Sequence, residues 1–132
     1  MENSITLTFT AKTENILIAR IAAATVAYNN GFDLETVEDI KVAIGEAVTN
    51  AIEHGSTNDD TVTVNILFSN EKLTVTVTDH GKGIEEKDIP KAFALNERGF
   101  GMLLIENLMD ETKAEAIPEG GTQIMMVKSK VH

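Results

Sequence analysis

Residues 39–55, DIKVAIGEAVTNAIEHG, form the stretch around which the rest of the chain is organised. Apolar residues recur in and just before it at intervals of three and four, which predicts one apolar stripe along a helix. The stripe consists of Val37, Ile40, Ile44, Ala47, Val48 and Ala51. Polar residues repeat with the same spacing on the other side of the helix. This polar face consists of Glu46, Asn50, Glu53 and His54.

The polar face has two interpretations when these residues are considered alone. Polar side chains opposite an apolar stripe usually form a solvated surface. A carboxylate and a carboxamide one turn apart, as at Glu46 and Asn50, also suit a single ligand. The carboxylate can take a proton, and the carboxamide oxygen can coordinate a hard cation. Motifs farther along the chain decide between the two.

Length and composition predict one globular domain over residues 1–132, with 42% hydrophobic and 24% charged residues. The chain has no cysteine, no apolar run long enough to span a membrane and no signal-peptide pattern, so we expect a cytoplasmic protein without a membrane partner. The net charge of −10 argues against direct binding of nucleic acid, which requires basic residues. A polyanionic ligand would therefore need a locally positive site.

Periodicity along the whole chain predicts the order strand, helix, helix, hairpin, helix, hairpin. The first strand is expected over residues 4–10, and the hairpins over 61–78 and 113–128. This order predicts an α+β fold, a two-layer α/β sandwich in which helices cover one face of a mostly antiparallel, mixed sheet.

The first two helices have recognisable ends. We expect the first helix to run from an N-cap at Thr13 to about residue 30, with Gly31 as its left-handed stop. Asp33 is expected to cap the second helix, and Gly55 to end it. The residues of the first helix available for packing are Ile16, Leu17, Ala19, Ile21, Ala24 and Tyr28.

Two motifs rich in glycine lie between residues 79 and 101. In Asp79-x-Gly81-x-Gly83, a carboxylate that suits an exocyclic amine ends a predicted strand, and the glycines let a flat ligand approach the backbone. In Gly99-x-Gly101, glycines open a predicted helix, whose free N–H groups favour phosphate. Each motif alone is weak, because turns with two glycines are common.

The order of all these motifs, from Glu46-x-x-x-Asn50 to Gly121-Thr122, resembles that of the GHKL (Bergerat-fold) ATPases. Within that group the chain is most similar to the stand-alone bacterial anti-sigma factor serine kinases. The stretches that carry the resemblance are EAVTNAIEHG at 46–55 and GMLLIENLMDE at 101–111. It extends over essentially the whole chain.

The resemblance implies a role for each site residue. Glu46 would be the general base for a serine hydroxyl, and Asn50 would hold Mg²⁺. Asp79, supported by Thr122, would accept a hydrogen bond from the adenine amine of ATP or ADP. The other residues expected at the nucleotide are Gly81, Gly83, Arg98, Gly99, Gly101 and Met102.

The resemblance also implies the partners. The expected function is an ATP-dependent serine kinase that binds a sigma factor and phosphorylates an anti-sigma factor antagonist, as a homodimer formed through the first strand and helix. The alternative is a nucleotide-gated binding module that transfers little phosphate. Arg20 is either a contact residue for these partners or an ordinary surface residue.

His54 is expected to stabilise the end of its helix, and residues 85–98 to form the lid.

Overall fold

Five strands form one sheet within the part of the chain that the computed structural model describes, which is residues 2–55, 60–80, 97–118 and 120–130, with the backbone alone at 54–55 and 97–100. The strands are β1 (Asn3–Thr10), β2 (Thr61–Ser69), β3 (Lys72–Asp79), β4 (Glu111–Ala116) and β5 (Thr122–Ser129). Their order is β1-β2-β3-β5-β4. All the pairings in these ranges are antiparallel. The predicted mostly antiparallel sheet is therefore present, with no parallel pairing among the described strands.

The register of the strands directs one apolar set towards the helices. Asn70 and Glu71 connect β2 to β3 with φ values of 54° and 64°, the conformation of a tight hairpin turn whose twist matches the sheet. Val64 then lies opposite Val77, and Leu7 of β1 lies opposite Val64. These side chains share a face because residues opposite one another in a ladder point the same way.

Three helices cover that face: α1 (Ile16–Asn29), α2 (Leu34–Asn50) and α3 (Glu97–Leu108). Helix α2 lies between the other two and packs against both, while α1 also contacts β2 and α3 contacts β4. The predicted two-layer α+β fold is confirmed. Among the described residues, no helix has the length and apolar character needed to cross a membrane.

Helix α1 differs from its prediction at its start and on its surface. It follows a 3₁₀ turn (Thr13–Asn15) whose N-cap is Lys12, so the prediction of Thr13 as the cap is wrong. The predicted stop is confirmed, because Gly31 has a φ of 89°. The residues buried in α1 are Ala19, Ala23, Val26 and Ala27. The packing prediction is wrong for Leu17, Ile21 and Tyr28, which are more than half exposed.

The small size of alanine explains why α1 buries its alanines and exposes its larger apolar residues. Helix axes approach according to the size of the side chains between them, and alanines allow a close approach. The alanine side of α1 therefore packs inwards, and its larger apolar residues remain outside.

Helix α2 follows its prediction closely. The Asp33 carboxylate caps it by accepting a hydrogen bond from the Thr36 backbone N–H at 2.7 Å. Hydrogen bonding to Thr36 lowers the pKa of Asp33, because it stabilises the charged form. Every member of the predicted apolar stripe is buried.

Helix α2 is followed directly by a π-helical turn, Ala51–Gly55. A π turn contains more residues than an α turn, so it shifts the helical phase. Glu53 is exposed beyond this point, in contrast to Asn50 just before it. The expected single polar face is therefore interrupted after Asn50.

Candidate functional site

Glu46 and Asn50 lie one turn apart on α2, directly beneath the start of α3. A Cβ atom built on Gly101 would lie 2.7 Å from Glu46 Oε2 and 3.9 Å from Asn50 Nδ2. Helix α3 can approach this closely because residue 101 has no side chain. The helix covers Asn50, which is only 6% exposed. The solvated-surface interpretation is therefore wrong for Asn50.

Asn50 has the properties expected of a ligand-binding amide. Its Nδ2 atom is buried and has no hydrogen-bond partner among the described residues. Such an atom costs about 1–3 kcal/mol unless something else pairs with it. A carboxamide oxygen is also a suitable ligand for a hard cation such as Mg²⁺. The position of Asn50 therefore fits the predicted role.

The described residues contain no cluster of three or more His, Cys, Asp or Glu side chains that would hold a metal ion by itself. At nucleotide sites Mg²⁺ usually takes one or two ligands from the protein and the rest from phosphate oxygens and water. Asn50 is the candidate protein ligand, with Glu46 one turn away.

A second polar pair lies where β3 ends and β5 begins. Asp79 and Thr122 are 3% and 4% exposed, so both side chains belong to the interior. The pairing of Thr78 with Gln123 places the two residues opposite each other one step farther along the ladder. A buried carboxylate requires strong hydrogen bonds. The structure thus brings Asp79 and Thr122 together, as the family resemblance implies.

Gly121 permits this arrangement. A Cβ atom at this position would overlap the Asp79 main-chain oxygen and lie 3.4 Å from Asp79 Oδ1, and the φ of 107° also favours glycine. Although Gly121 belonged to the recognised motif order, the sequence did not mark it as a site residue. Its position directly before Thr122 was the available signal.

His80 lies on the opposite side of the sheet from the Asp79 carboxylate. Successive residues of a strand point to opposite faces, and His80 is exposed, with Nε2 3.1 Å from Thr63 Oγ1. The His80 ring therefore lies away from the Asp79 carboxylate.

Arg20 of α1 lies along α2, next to Gly45. A Cβ atom on Gly45 would be 3.1 Å from Arg20 Cδ and 3.5 Å from Nε. The Nε atom is buried, and it has no hydrogen-bond partner among the residues that the structure describes. A pocket of about 230 Å³ adjoins it. The residues that line this pocket are Ile16, Arg20, Val42, Gly45, Glu46 and Thr49.

Comparison with known proteins agrees with this geometry. A family model described as the histidine kinase-like ATPase domain matches residues 9–128. The chain belongs to this family. The resemblance that the sequence suggested is confirmed.

Individual members of the ATPase family are similar over nearly the full length of the chain. The anti-sigma F factor of Clostridium acetobutylicum is 38% identical, with 97% of this chain and 94% of that protein covered. The serine-protein kinase RsbW of Oceanobacillus iheyensis is 34% identical, with 89% and 81% covered. The SiaB–SiaC complex from Pseudomonas aeruginosa contains a similar fold, with a TM-score of 0.74 at 12% identity, covering 93% of this chain and 88% of that one.

Several residues predicted for this ATPase domain cannot be placed. Gly81, Gly83 and the lid as far as residue 96 lie outside the described residues, as do the side chains of Arg98 and His54. Gly99 and Gly101 lie within α3, which already includes residue 97, and not ahead of it. The Met102 side chain is buried in the core.

Proposed function

We propose that this chain is an ATP-dependent serine protein kinase that binds a sigma factor and phosphorylates an anti-sigma factor antagonist. The observation that carries the proposal is the Glu46–Asn50 pair beneath Gly101, in which Asn50 is buried. The similarity to proteins named anti-sigma F factor and serine-protein kinase supports the same activity. We take residues 1–132 to form one such domain, acting in the cytoplasm.

Glu46 would act on the hydroxyl group of the acceptor serine. Its carboxylate would take the hydroxyl proton while the serine oxygen bonds to the γ-phosphorus of ATP. The bond from that phosphorus to the bridging oxygen breaks, and ADP leaves. Phosphoryl transfer of this kind depends mainly on positioning and charge neutralisation.

The remaining site residues would hold the nucleotide. Asn50 would coordinate Mg²⁺ through its amide oxygen, and the bound ion would supply positive charge next to the phosphates. Asp79 would accept a hydrogen bond from the adenine amine, with Thr122 beside it. Both are buried at the end of the sheet, where a hydrogen bond to a charged acceptor is stronger than in water. Arg98, Gly81, Gly83 and Gly99 would complete the site around the phosphates.

Two features support a homodimer through β1 and α1. The outer side of α1 exposes large apolar side chains, which are Leu17, Ile18, Ile21 and Tyr28. Strand β1 is an edge strand of eight residues without charge or proline, whereas the opposite edge, β4, carries Glu111, Lys113 and Glu115. Charges protect an edge from pairing with another chain, and β1 lacks this protection.

Glu46→Ala provides the test of the kinase proposal. Removal of a general base should lower the rate of serine phosphorylation by about 10²- to 10⁴-fold, while ATP still binds. The assay incubates labelled ATP and Mg²⁺ with the antagonist protein of the same bacterium, and calorimetry measures ATP binding.

Asp79→Asn should instead weaken ATP binding, because it removes a buried charged acceptor.

Glu53→Ala is the matched control, since it removes an exposed carboxylate from the π-helical turn that follows α2. It should phosphorylate the antagonist at the wild-type rate. Equal rates for wild type and Glu46→Ala would exclude Glu46 as the base. ATP binding without any transfer by the wild type would instead favour a nucleotide-gated binding module.

A further inference from the structure

Lys128 lies on the face of β5 that packs against the helices, where the strand pattern calls for an apolar residue. Ile124 and Met126 precede it on the same face, and both are buried in the core. Across the sheet Lys128 lies opposite Leu73, which is fully buried. The Lys128 side chain is itself only 18% exposed. Removing a charged group from water is costly unless it is paired, so this lysine needs a physical reason.

The reason is the C-terminal end of α3. Lys128 Nζ donates a hydrogen bond of 2.7 Å to the main-chain oxygen of Leu108, the last residue of that helix. The last carbonyl groups of a helix have no partner within it, and they form the negative end of its dipole. The ammonium group of Lys128 therefore supplies both a donor and a favourable charge at the point where α3 ends.

Two further hydrogen bonds attach the same end of α3 to β5. The Asp110 N–H donates to the main-chain oxygen of Val127 at 2.8 Å, and the Ser129 N–H donates to Asp110 Oδ2 at 2.6 Å. Asp110 Oδ1 also lies 3.8 Å from Lys128 Nζ, which makes an ion pair. Three consecutive residues of β5 thus hold the end of α3, and Lys128 is the one bonded to the helix itself.

The opposite end of α3 lies over the proposed catalytic pair. Helix α3 packs mainly against α2, and Gly101 brings it close to Glu46 and Asn50. Gly101 and Leu108 are seven residues apart, which is about 10 Å along a helix. A change in the direction of α3 at its C-terminal end would therefore displace the N-terminal end, where the phosphates are proposed to bind.

The residues proposed to bind the adenine do not depend on α3 in this way. Asp79 and Thr122 belong to the sheet, at the end of β3 and the start of β5. Thr122 and Lys128 are six residues apart, which is about 20 Å along a strand. A change at Lys128 should therefore affect the phosphate end of the site through α3 and leave the adenine end in place.

We propose that Lys128 is a positioning residue for the phosphate end of the nucleotide site: it fixes the C-terminal end of α3, so that the N-terminal end lies over Glu46 and Asn50. This inference rests on the proposed kinase function, in which ATP and Mg²⁺ bind at that pair. Lys128 itself would touch neither the nucleotide nor the acceptor protein.

Lys128→Met tests the inference, because it removes the charge and the donor but keeps a long, unbranched side chain. The dissociation constant for ATP with Mg²⁺ should rise by about fivefold or more, whereas that for adenosine, which has no phosphate, should change by less than about twofold. Calorimetry measures the first value, and an NMR titration measures the second. A purely structural role would lower the midpoint of thermal unfolding without separating the two ligands.

Two other lysine variants show whether the charge at this place matters. Lys128→Arg keeps a cationic donor at the end of α3 and should recover most of the affinity for ATP. Lys113→Met is the matched control for the loss of one positive charge, because Lys113 forms an exposed ion pair with Glu115 on β4. It should bind ATP with the wild-type affinity.

Asp110→Ala provides a milder test of the same attachment. Asp110 is more exposed than Lys128, and alanine removes the acceptor for the Ser129 N–H while Lys128 can still donate to Leu108. The affinity for ATP should fall by less than in Lys128→Met, again with little change for adenosine. This variant decides the question if Lys128→Met does not fold.

Two results would overturn the inference while the proposed function stands. One is a wild-type affinity for ATP in Lys128→Met, or in Asp110→Ala where Lys128→Met does not fold. The other is an equal loss of affinity for ATP and for adenosine. A wild type that binds ATP in the Lys128-dependent manner but does not phosphorylate the antagonist would overturn the proposed kinase function and leave the role of Lys128 intact.

Discussion

Helices α1 and α2 pack against each other but distribute their residues in opposite ways. Helix α2 buries large apolar residues such as Ile40 and Ile44 and also buries one polar residue, Asn50. Helix α1 buries alanines and exposes Leu17 and Ile21. Each helix therefore has one feature that packing within a single chain does not explain. In α2 it is the buried Asn50 amide, and in α1 it is the exposure of large apolar side chains.

The two exceptions indicate two kinds of contact. Among the described residues, the buried Asn50 amide has an unmade hydrogen bond, which favours a polar ligand that replaces the missing bond. Large apolar side chains that remain exposed along a helix indicate a protein partner, because water is an unfavourable neighbour for them. The difference fits the proposal that α2 serves nucleotide chemistry and that α1 serves assembly.

The largest effect is expected in the buried stripe of α2. Ile44→Ala should lower the free energy of unfolding by about 2–5 kcal/mol, because Ile44 is fully buried and its truncation leaves a cavity. Leu17→Ala on α1 is the matched control and should change it by less than about 0.5 kcal/mol in the monomer. Urea denaturation measures both values. Similar losses for both variants would remove the contrast between the helices.

A smaller effect is expected from a charge on the outer side of α1. Ile21→Asp should raise the dissociation constant of the homodimer by about tenfold or more, because the carboxylate would be buried in an apolar interface. Sedimentation at a series of concentrations measures the change. Leu104→Asp on α3 is the control, since Leu104 is also partly exposed. A monomeric wild type would contradict the assignment of α1 to a dimer.

The smallest effect concerns the start of α2. This helix has a side-chain cap at Asp33, whereas neither α1 nor the turn before it has one. Because the pKa of Asp33 is lowered in the folded state, its contribution to stability is present above the ordinary aspartate pKa. It is lost as the pH falls through the lowered value.

Asp33→Ala should therefore be less stable than wild type at neutral pH, and the difference should shrink in acid. Thermal unfolding of both proteins across this pH range tests the expectation. Asp39→Ala, on the same helix but outside its first turn, is the control. A difference that persists unchanged in acid would show that the charge of Asp33 is not involved.

Local patterns were sufficient for most of the fold. The alternation in β1, β2 and β3 predicted their extent to within one or two residues, since a strand with one buried face must repeat every second residue. The Asp33 cap and the Gly31 stop depend on the chemistry of one residue and its neighbours, and both are confirmed. The proximity of Asp79 and Thr122 was expected from the family resemblance, and the register of β3 with β5 places them opposite each other.

Contacts between helices could not be predicted from such local patterns. In α1 most residues are apolar, so periodicity could not indicate whether its alanines or its larger apolar residues face inwards. The π turn after Asn50 was missed because no local signal distinguishes it from a continued α-helix. The contact between Gly45 and Arg20 was not predicted, because the two residues lie on different helices.

The sequence by itself determined the two-layer fold, the nucleotide motifs and the family, because these depend on spacing along one strand, helix or turn. Only the tertiary structure showed that α1 turns its large apolar residues outwards. It also showed that Gly101 lies over Glu46 and Asn50, and that Arg20 of α1 lies against α2 at Gly45. These arrangements depend on how closely two separate helices approach each other. That distance is set by side chains far apart in the chain.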